Sequence, residues 1–191
     1  MRDPGATSRQ PKYESPQMRA RAGIAGRGPI LFVGGLAAGL LIVGQLISRH
    51  SPMLLWNTSK SMPEGLYLVD RTAAVRAGDM VAAKLPPMAR TLAAQRNYVP
   101  ADVPVIKRVA AGAGAIVCAN GATYSIDGRL AGVRLKGDAR GRALPHWTGC
   151  MRFGSSDYLL LGQSLESFDG RYFGPSKRID LIGRAELLWP H

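Results

Sequence analysis

The chain has 191 residues, enough for one ordinary domain with an appendage, and its 46% hydrophobic content can fill a packed core. This excludes a large multidomain machine and a chain disordered throughout, while 23 Gly and 13 Pro point to turns and short elements rather than a helical bundle. Lys and Arg number 25 against 13 Asp and Glu, a net charge of +12 whose meaning depends on where it lies.

Residues 1–28 hold Arg2, Arg9, Lys12, Arg19, Arg21 and Arg27 against only Asp3 and Glu14, so this basic tail is net +4. Residues 29–47 then read PILFVGGLAAGLLIVGQLI, without a charge and with Gln45 as the one strongly polar side chain. As a helix rising ~1.5 Å per residue, this run is roughly 28 Å long, matching a hydrocarbon core of about 30 Å. A cleaved signal peptide is the competing reading, but its apolar stretch spans about 7–15 residues, and no small-x-small pattern follows Ile47. The sequence therefore predicts an uncleaved transmembrane helix over 29–48. The basic residues before it predict a cytoplasmic N-terminus, which sends residues 49–191 across the membrane. That exported part keeps 19 basic against 11 acidic residues. With no nucleic-acid-binding module in the chain, the expected partner of this charge is the anionic surface of the membrane.

Beyond the span, short apolar runs broken by Gly, Pro and Asp predict a mostly β domain, with strands at 66–69, 80–85, 105–110, 115–119, 123–126, 130–135, 158–161 and 181–188. Asp127-Gly128 predicts a hairpin turn, since both residues tolerate positive φ. One helix is expected, opened by Pro87, continued through 89–96 and stopped by Pro100. Cys118 and Cys150 both lie in the exported part, where an oxidising compartment lets them form a disulfide. Two buried free thiols and a two-cysteine metal site are the alternatives. His50, His146 and His191 show no ligand spacing, so no metal is expected.

Three clusters carry chemistry. Asn57-Thr58-Ser59-Lys60-Ser61-Met62-Pro63-Glu64-Gly65-Leu66-Tyr67 is rich in hydroxyls, and by itself reads equally as a Ser/Pro turn. In Val105-Ile106-Lys107-Arg108-Val109-Ala110 a lysine interrupts an apolar strand, and alternation sets it on the face of Val105 and Val109. If that face is buried, the amine is pushed toward its neutral form and can act as a base; otherwise Lys107 snorkels to the surface. In Ser167-Phe168-Asp169-Gly170-Arg171-Tyr172-Phe173-Gly174-Pro175, Asp169 and Arg171 stand two apart and, on an extended segment, share a face and can pair, a contact that is also compatible with a purely structural role.

Together the clusters resemble the membrane-bound serine/lysine signal peptidases. Asn-x-Ser-x-Ser-x-Pro-x-Gly-x-Tyr at 57–67, Val-Pro-x-x-Lys-Arg-Val at 103–109, Leu-Pro-x-Trp-x-Gly-Cys at 144–150 and Arg-Tyr-Phe-Gly-Pro at 171–175 are most similar to the TraF-type conjugative transfer peptidases within that family. The resemblance covers residues 53–189. It implies a signal-peptidase/LexA-like β catalytic domain, with Ser61 as nucleophile and Lys107 as its general base. Ser59 falls where a hydroxyl assists the oxyanion hole beside the Ser61 N–H, Ser167 where a hydroxyl orients the lysine, and Asp169 with Arg171 where a supporting pair lies. Such chemistry uses no cofactor and no metal.

The chain departs from the family pattern at Ala113-Gly114-Ala115, where Pro-Gly-Asp is usual, and at Gly170, where a serine is common. At Gly162-Gln163-Ser164 the housekeeping enzymes have Gly-Asp-Asn, a difference that favours the conjugative subgroup. The expected protein is thus a single-pass inner-membrane serine endopeptidase with its catalytic domain in the periplasm. It removes a leader or C-terminal segment from a pilin-like precursor, with hydrolysis and cyclisation both open, and components of a conjugation or type IV secretion apparatus are expected partners. One rival reading is a self-cleaving repressor of the LexA type, whose DNA-binding helix-turn-helix is replaced here by the apolar span. The other is a catalytically silent membrane-anchored subunit of a conjugation or secretion apparatus.

Overall fold

The computed structural model describes Gly39 and residues 52–191. The basic tail over 1–28 and, Gly39 apart, the helix expected over 29–48 lie outside the described residues. Among the described residues no helix is long and apolar enough to cross a membrane.

Residues 52–191 belong to one compact unit. Its described part is mostly β, as expected, with strands β1 (Met53–Asn57), β2 (Gly65–Asp70), β3 (Met80–Ala83), β4 (Val105–Ala111), β5 (Ile116–Asn120), β6 (Thr123–Ile126), β7 (Arg129–Val133), β8 (Gly149–Arg152), β9 (Asp157–Leu161), β10 (Ser176–Lys177) and β11 (Leu181–Pro190). Two helices accompany them, α1 (Pro87–Gln95) and the one-turn α2 (Gly170–Phe173), with a 3₁₀ turn at Arg178–Asp180. A seven-stranded sheet runs β1-β2-β11-β3-β4-β9-β10 and a four-stranded sheet runs β7-β6-β5-β8. Every strand pair is antiparallel.

Strand β2 shows why these residues pair as they do: Gly65, Tyr67 and Val69 are buried while Leu66, Leu68 and Asp70 are half-buried, the two-residue period of a pleated strand. Strands β3 and β4 lie in the middle of the larger sheet and are covered on both sides. Ala82 and Ile106 enter a cluster with Met62, Tyr67, Val69 and Ala185, whereas Val81, Ala83 and Val109 enter another with Leu160 and Leu181. A strand buried on both faces needs an unbroken apolar run, which is how Val81-Ala82-Ala83 reads. Ala111, Val117, Phe153 and Leu159 form a third cluster where the two sheets meet.

Helix α1 begins at Pro87, whose ring is tolerated in the first turn, and buries Ala89 and Ala93 one turn apart against Leu85. It ends at Gln95, because Asn97 takes a left-handed φ of 56° and the Tyr98 N–H turns back to the Ala93 carbonyl at 2.9 Å. Asp127 and Gly128 both take positive φ in the β6–β7 turn, as expected.

The expected strand list lacks β1, β8 and β10. β8 (Gly149–Arg152) is mostly exposed and carries no apolar alternation, so only its pairing to β5 defines it. The strand expected at 130–135 stops at Val133, and the next residue, Arg134, is buried. The disulfide joins Cys118 to Cys150, which stand directly opposite each other on β5 and β8, 32 residues apart in sequence. Closing a loop of that size contributes about 3–4 kcal/mol in the chain-entropy account. Replacing both cysteines by serine should lower the unfolding free energy by about that amount in urea denaturation. A loss below about 1 kcal/mol would contradict the entropic account.

Candidate active site

The segment joining β1 to β2 is a tight loop built around Asn57, the last residue of β1. Asn57 Nδ2 donates to the carbonyls of Ser59 (3.0 Å), Met62 (3.3 Å) and Pro63 (2.9 Å), and its Oδ1 accepts from the Ser59 N–H at 3.1 Å. Met62 plugs the loop into the core, and the Tyr67 hydroxyl donates to the Pro63 carbonyl at 2.8 Å. Ser59 is exposed and Ser61 half-buried on the cleft side. The Ser59 hydroxyl donates to Ser61 Oγ at 3.0 Å, while the Ser61 N–H donates to Ser59 Oγ at 3.3 Å. The Ser61 carbonyl accepts from the Gln163 N–H at 2.7 Å, which ties this loop to the end of β9.

Lys107 comes from the centre of β4 with its side chain 4% exposed, and Nζ donates to Ser167 Oγ at 2.6 Å. It shares a buried face with Val109 and Ala111, while on the other face Ile106 is buried and Arg108 turns outward to the Gly78 carbonyl at 2.7 Å. Burial lowers the Lys107 pKa from its ordinary value to about 8. The Asp169 carboxylate opposes this shift and the Arg171 guanidinium adds to it.

Asp169 and Arg171 pair at 2.8 Å, both buried. The segment is not extended, however: Asp169 is the N-cap of α2, and its Oδ1 takes both the N–H and the Nε of Arg171. Their remaining groups bracket Gly162, whose N–H donates to Asp169 Oδ2 at 2.7 Å and whose carbonyl accepts from Arg171 Nη2 at 2.8 Å. A Cβ at Gly162 would lie 2.3 Å from Ser167 Oγ and 2.9 Å from the Ser61 carbonyl oxygen, so only glycine lets the three segments close up.

Ser59, Ser61, Lys107 and Ser167 line one cleft of about 580 Å³. Its apolar walls include Leu85, Val99, Val105, Leu135, Leu144 and Phe168. The cleft is spanned by Tyr98, after α1, whose hydroxyl donates to Asp138 in the 136–143 loop. Asp138 also accepts from Arg142 Nε at 2.7 Å and from the backbone N–H groups of Arg140 and Arg142. These donors, the Tyr98 hydroxyl first, hold its carboxyl well below the usual carboxylate range.

All six polar residues named from the sequence gather here, while Cys118 and Cys150 belong to the four-stranded sheet. Among the described residues, Lys107 Nζ hydrogen-bonds to Ser167 and Ser61 Oγ to Ser59, so the amine and the Ser61 hydroxyl share the cleft without a direct bond. Among the described residues no set of three His, Cys, Asp or Glu could hold a metal.

Sequence reasoning missed Arg134. Buried at 3% exposure, it donates to the carbonyls of Trp147 (2.8 Å), Arg171 (3.4 Å) and Gly121, and so joins the four-stranded sheet to α2. An isolated arginine at a strand end carries no signal of this. Asn57 and Gly162 stood in the motifs without a role.

A hydroxyl and a buried amine of lowered pKa in one cleft on a β scaffold define a serine peptidase type of site. The chain matches the signal peptidase, peptidase S26 family over residues 28–190 and belongs to it. Two Escherichia coli proteins, each called plasmid transfer protein TraF, are 34% and 32% identical to it over 171 residues, covering 82% of this chain and 93% of each relative. Within the signal peptidases it is therefore a TraF-type member.

The lowered Lys107 pKa has a consequence for stability. Because the folded value lies below the unfolded one, the native state binds fewer protons from about pH 8 upward and gains stability as pH rises toward the unfolded value. Below pH 8 the buried charge costs about 3 kcal/mol. Lys107→Met should therefore be more stable than wild type in urea at pH 7, with the gap narrowing toward pH 10. A variant less stable than wild type at pH 7 contradicts the assignment.

Proposed function

We propose that this chain is a membrane-anchored serine endopeptidase of the Ser/Lys type, which removes a leader or C-terminal segment from an exported precursor. The observation that carries the reading is the buried Lys107 amine in the same cleft as the Ser59–Ser61 turn. Serine is a weak nucleophile until a base takes its proton, and an amine near pKa 8 is partly neutral at physiological pH.

In the proposed reaction Ser61 Oγ attacks the scissile carbonyl while Lys107 Nζ accepts its proton. The oxyanion is met by the Ser61 N–H and the Ser59 O–H, which in the free protein donate to Ser59 Oγ and Ser61 Oγ respectively. The C–N bond then breaks, the segment C-terminal to the cut leaves as an amine that takes the proton from Lys107, and the part N-terminal to the cut remains as an ester on Ser61. Water or an amine resolves that ester, giving a linear product or, if the precursor's own N-terminus attacks, a cyclic one. Ser167 orients the amine, and Asp169 with Arg171 holds Gly162 and thereby the spacing between Ser61 and Ser167.

The relatives' role in plasmid transfer supports a pilin or another conjugative transfer protein as precursor, and a transfer apparatus as the setting. In the proposed topology residues 1–28 are cytoplasmic, 29–48 cross the inner membrane and 49–191 are periplasmic. The charge pattern supports this, as does the outer face of the larger sheet. There the exposed Trp56 and Trp189 flank the half-buried Leu66 across β1, β2 and β11, and Leu54 and Leu188 are also exposed. Tryptophans on an apolar face suit the bilayer interface.

Ser61→Ala should abolish cleavage of the precursor, and Ser59→Ala should cost about 10²–10³ in rate. Single-turnover rates should rise with pH along a limb centred near 8, as Lys107 loses its proton. Lys107→Arg, which keeps the charge but holds its proton, should be inactive across that range. Cleavage by a folded Lys107→Arg protein would refute the dyad, and equal cleavage by wild type and Ser61→Ala would refute the nucleophile.

A further inference from the structure

We infer that Asn57 is the positioning residue of the Ser59–Ser61 turn, a role that rests on the peptidase reading of those serines. Its carboxamide is buried, at 8% exposure, at the point where the loop closes on itself. The carbonyls of Ser59, Met62 and Pro63 converge on Nδ2, and Oδ1 accepts from the N–H of the same Ser59 to whose carbonyl Nδ2 donates. Ser59 is therefore gripped on both sides of its Cα. That grip sets the hydroxyl at 3.0 Å from Ser61 Oγ and at 3.3 Å from the Ser61 N–H.

Only a short amide does this. The site needs a donor for converging carbonyl oxygens and an acceptor for one N–H on a side chain of fixed reach, and asparagine supplies both. Aspartate has the same shape but, when ionised, only accepts, so it would face three carbonyl oxygens with a negative charge. Serine or alanine leaves those groups without their shared partner in a buried place. The rest of the turn leans on the same residue, since Pro63 brings no N–H of its own and Asn57 pairs across the sheet with Gly65, the first residue of β2. The Lys107–Ser167 contact is made by other elements, β4 and the segment before α2, and shares no hydrogen bond with Asn57.

The test uses the full-length protein in detergent, comparing wild type, Asn57→Asp, Asn57→Ser and Ser61→Ala on the precursor. Asn57→Asp should lower kcat about a hundredfold, the cost of misplacing reacting groups by about 1 Å. KM should stay within about threefold, and the acid limb near pH 8 should not move, because the base is held independently. A residue that merely stabilised the fold would lower the melting temperature and leave kcat per folded molecule unchanged. A kcat within about threefold of wild type in folded Asn57→Asp or Asn57→Ser overturns the inference. Amide hydrogen exchange at Ser59 and Ser61 provides a readout that needs no activity: faster exchange in either variant supports the role, and unchanged exchange overturns it. If wild type cleaves no better than Ser61→Ala, the peptidase reading fails, and the exchange data still decide whether Asn57 holds the turn.

Discussion

An amine buried in the middle of a β-sheet is costly to keep charged, and the arrangement around Lys107 follows from that cost. Its neighbours on the buried face of β4 are Val109 and Ala111, and its one hydrogen-bond partner among the described residues is the Ser167 hydroxyl. A hydroxyl can accept from an ammonium or donate to a neutral amine, so Ser167 tolerates either protonation state. The Asp169 carboxylate is close enough to favour the charged form, yet its oxygens are taken by Arg171 and the Gly162 N–H, and desolvation prevails. The fold thus holds an amine that can give up its proton near neutrality without placing a carboxylate on it.

The same constraint explains the close packing between Gly162, Ser167 and Ser61. Strand β9 ends where its next residue, Gly162, is held by Asp169 through its N–H and by Arg171 through its carbonyl, and the adjacent Gln163 N–H holds the Ser61 carbonyl. The Ser59–Ser61 loop and the lysine's partner are therefore positioned against one another through two consecutive residues. Arg134 extends the assembly to the four-stranded sheet, since its guanidinium reaches the Arg171 carbonyl and the Trp147 backbone. The disulfide lies further out on that sheet, where it closes β8 onto β5 without touching the cleft.

Much of this was legible in the sequence because it depends on local chemistry. The alternation of Tyr67 and Val69, the unbroken Val81-Ala82-Ala83 run, Pro87 at a helix start and Asp127-Gly128 at a turn each report a backbone preference carried by neighbouring residues. The six polar site residues were legible through their motifs. What was not legible depends on residues distant in sequence. β8 exists as a strand through β5, and Arg134 is buried because three carbonyls from separate segments converge on it. The Asp169–Arg171 pair was expected from strand alternation and arises instead from an N-cap, which gives the same neighbours by another geometry. Gly162 matters because Ser167 and Ser61 approach it from two sides, a fact that no spacing encodes.

The central claim is that Lys107 is a neutral-capable amine set for Ser61, and its own titration tests this most directly. In protein carrying ¹³C-labelled lysine, with the Lys107 signal assigned by its loss in Lys107→Arg, the Cε shift can be followed from about pH 6 to 11, a range covering a depressed and an ordinary lysine. The account predicts a midpoint near 8 for Lys107, well below the ordinary lysine value of about 10.4. A Lys107 midpoint at that ordinary value would contradict it, leaving the cleft without a base at neutral pH.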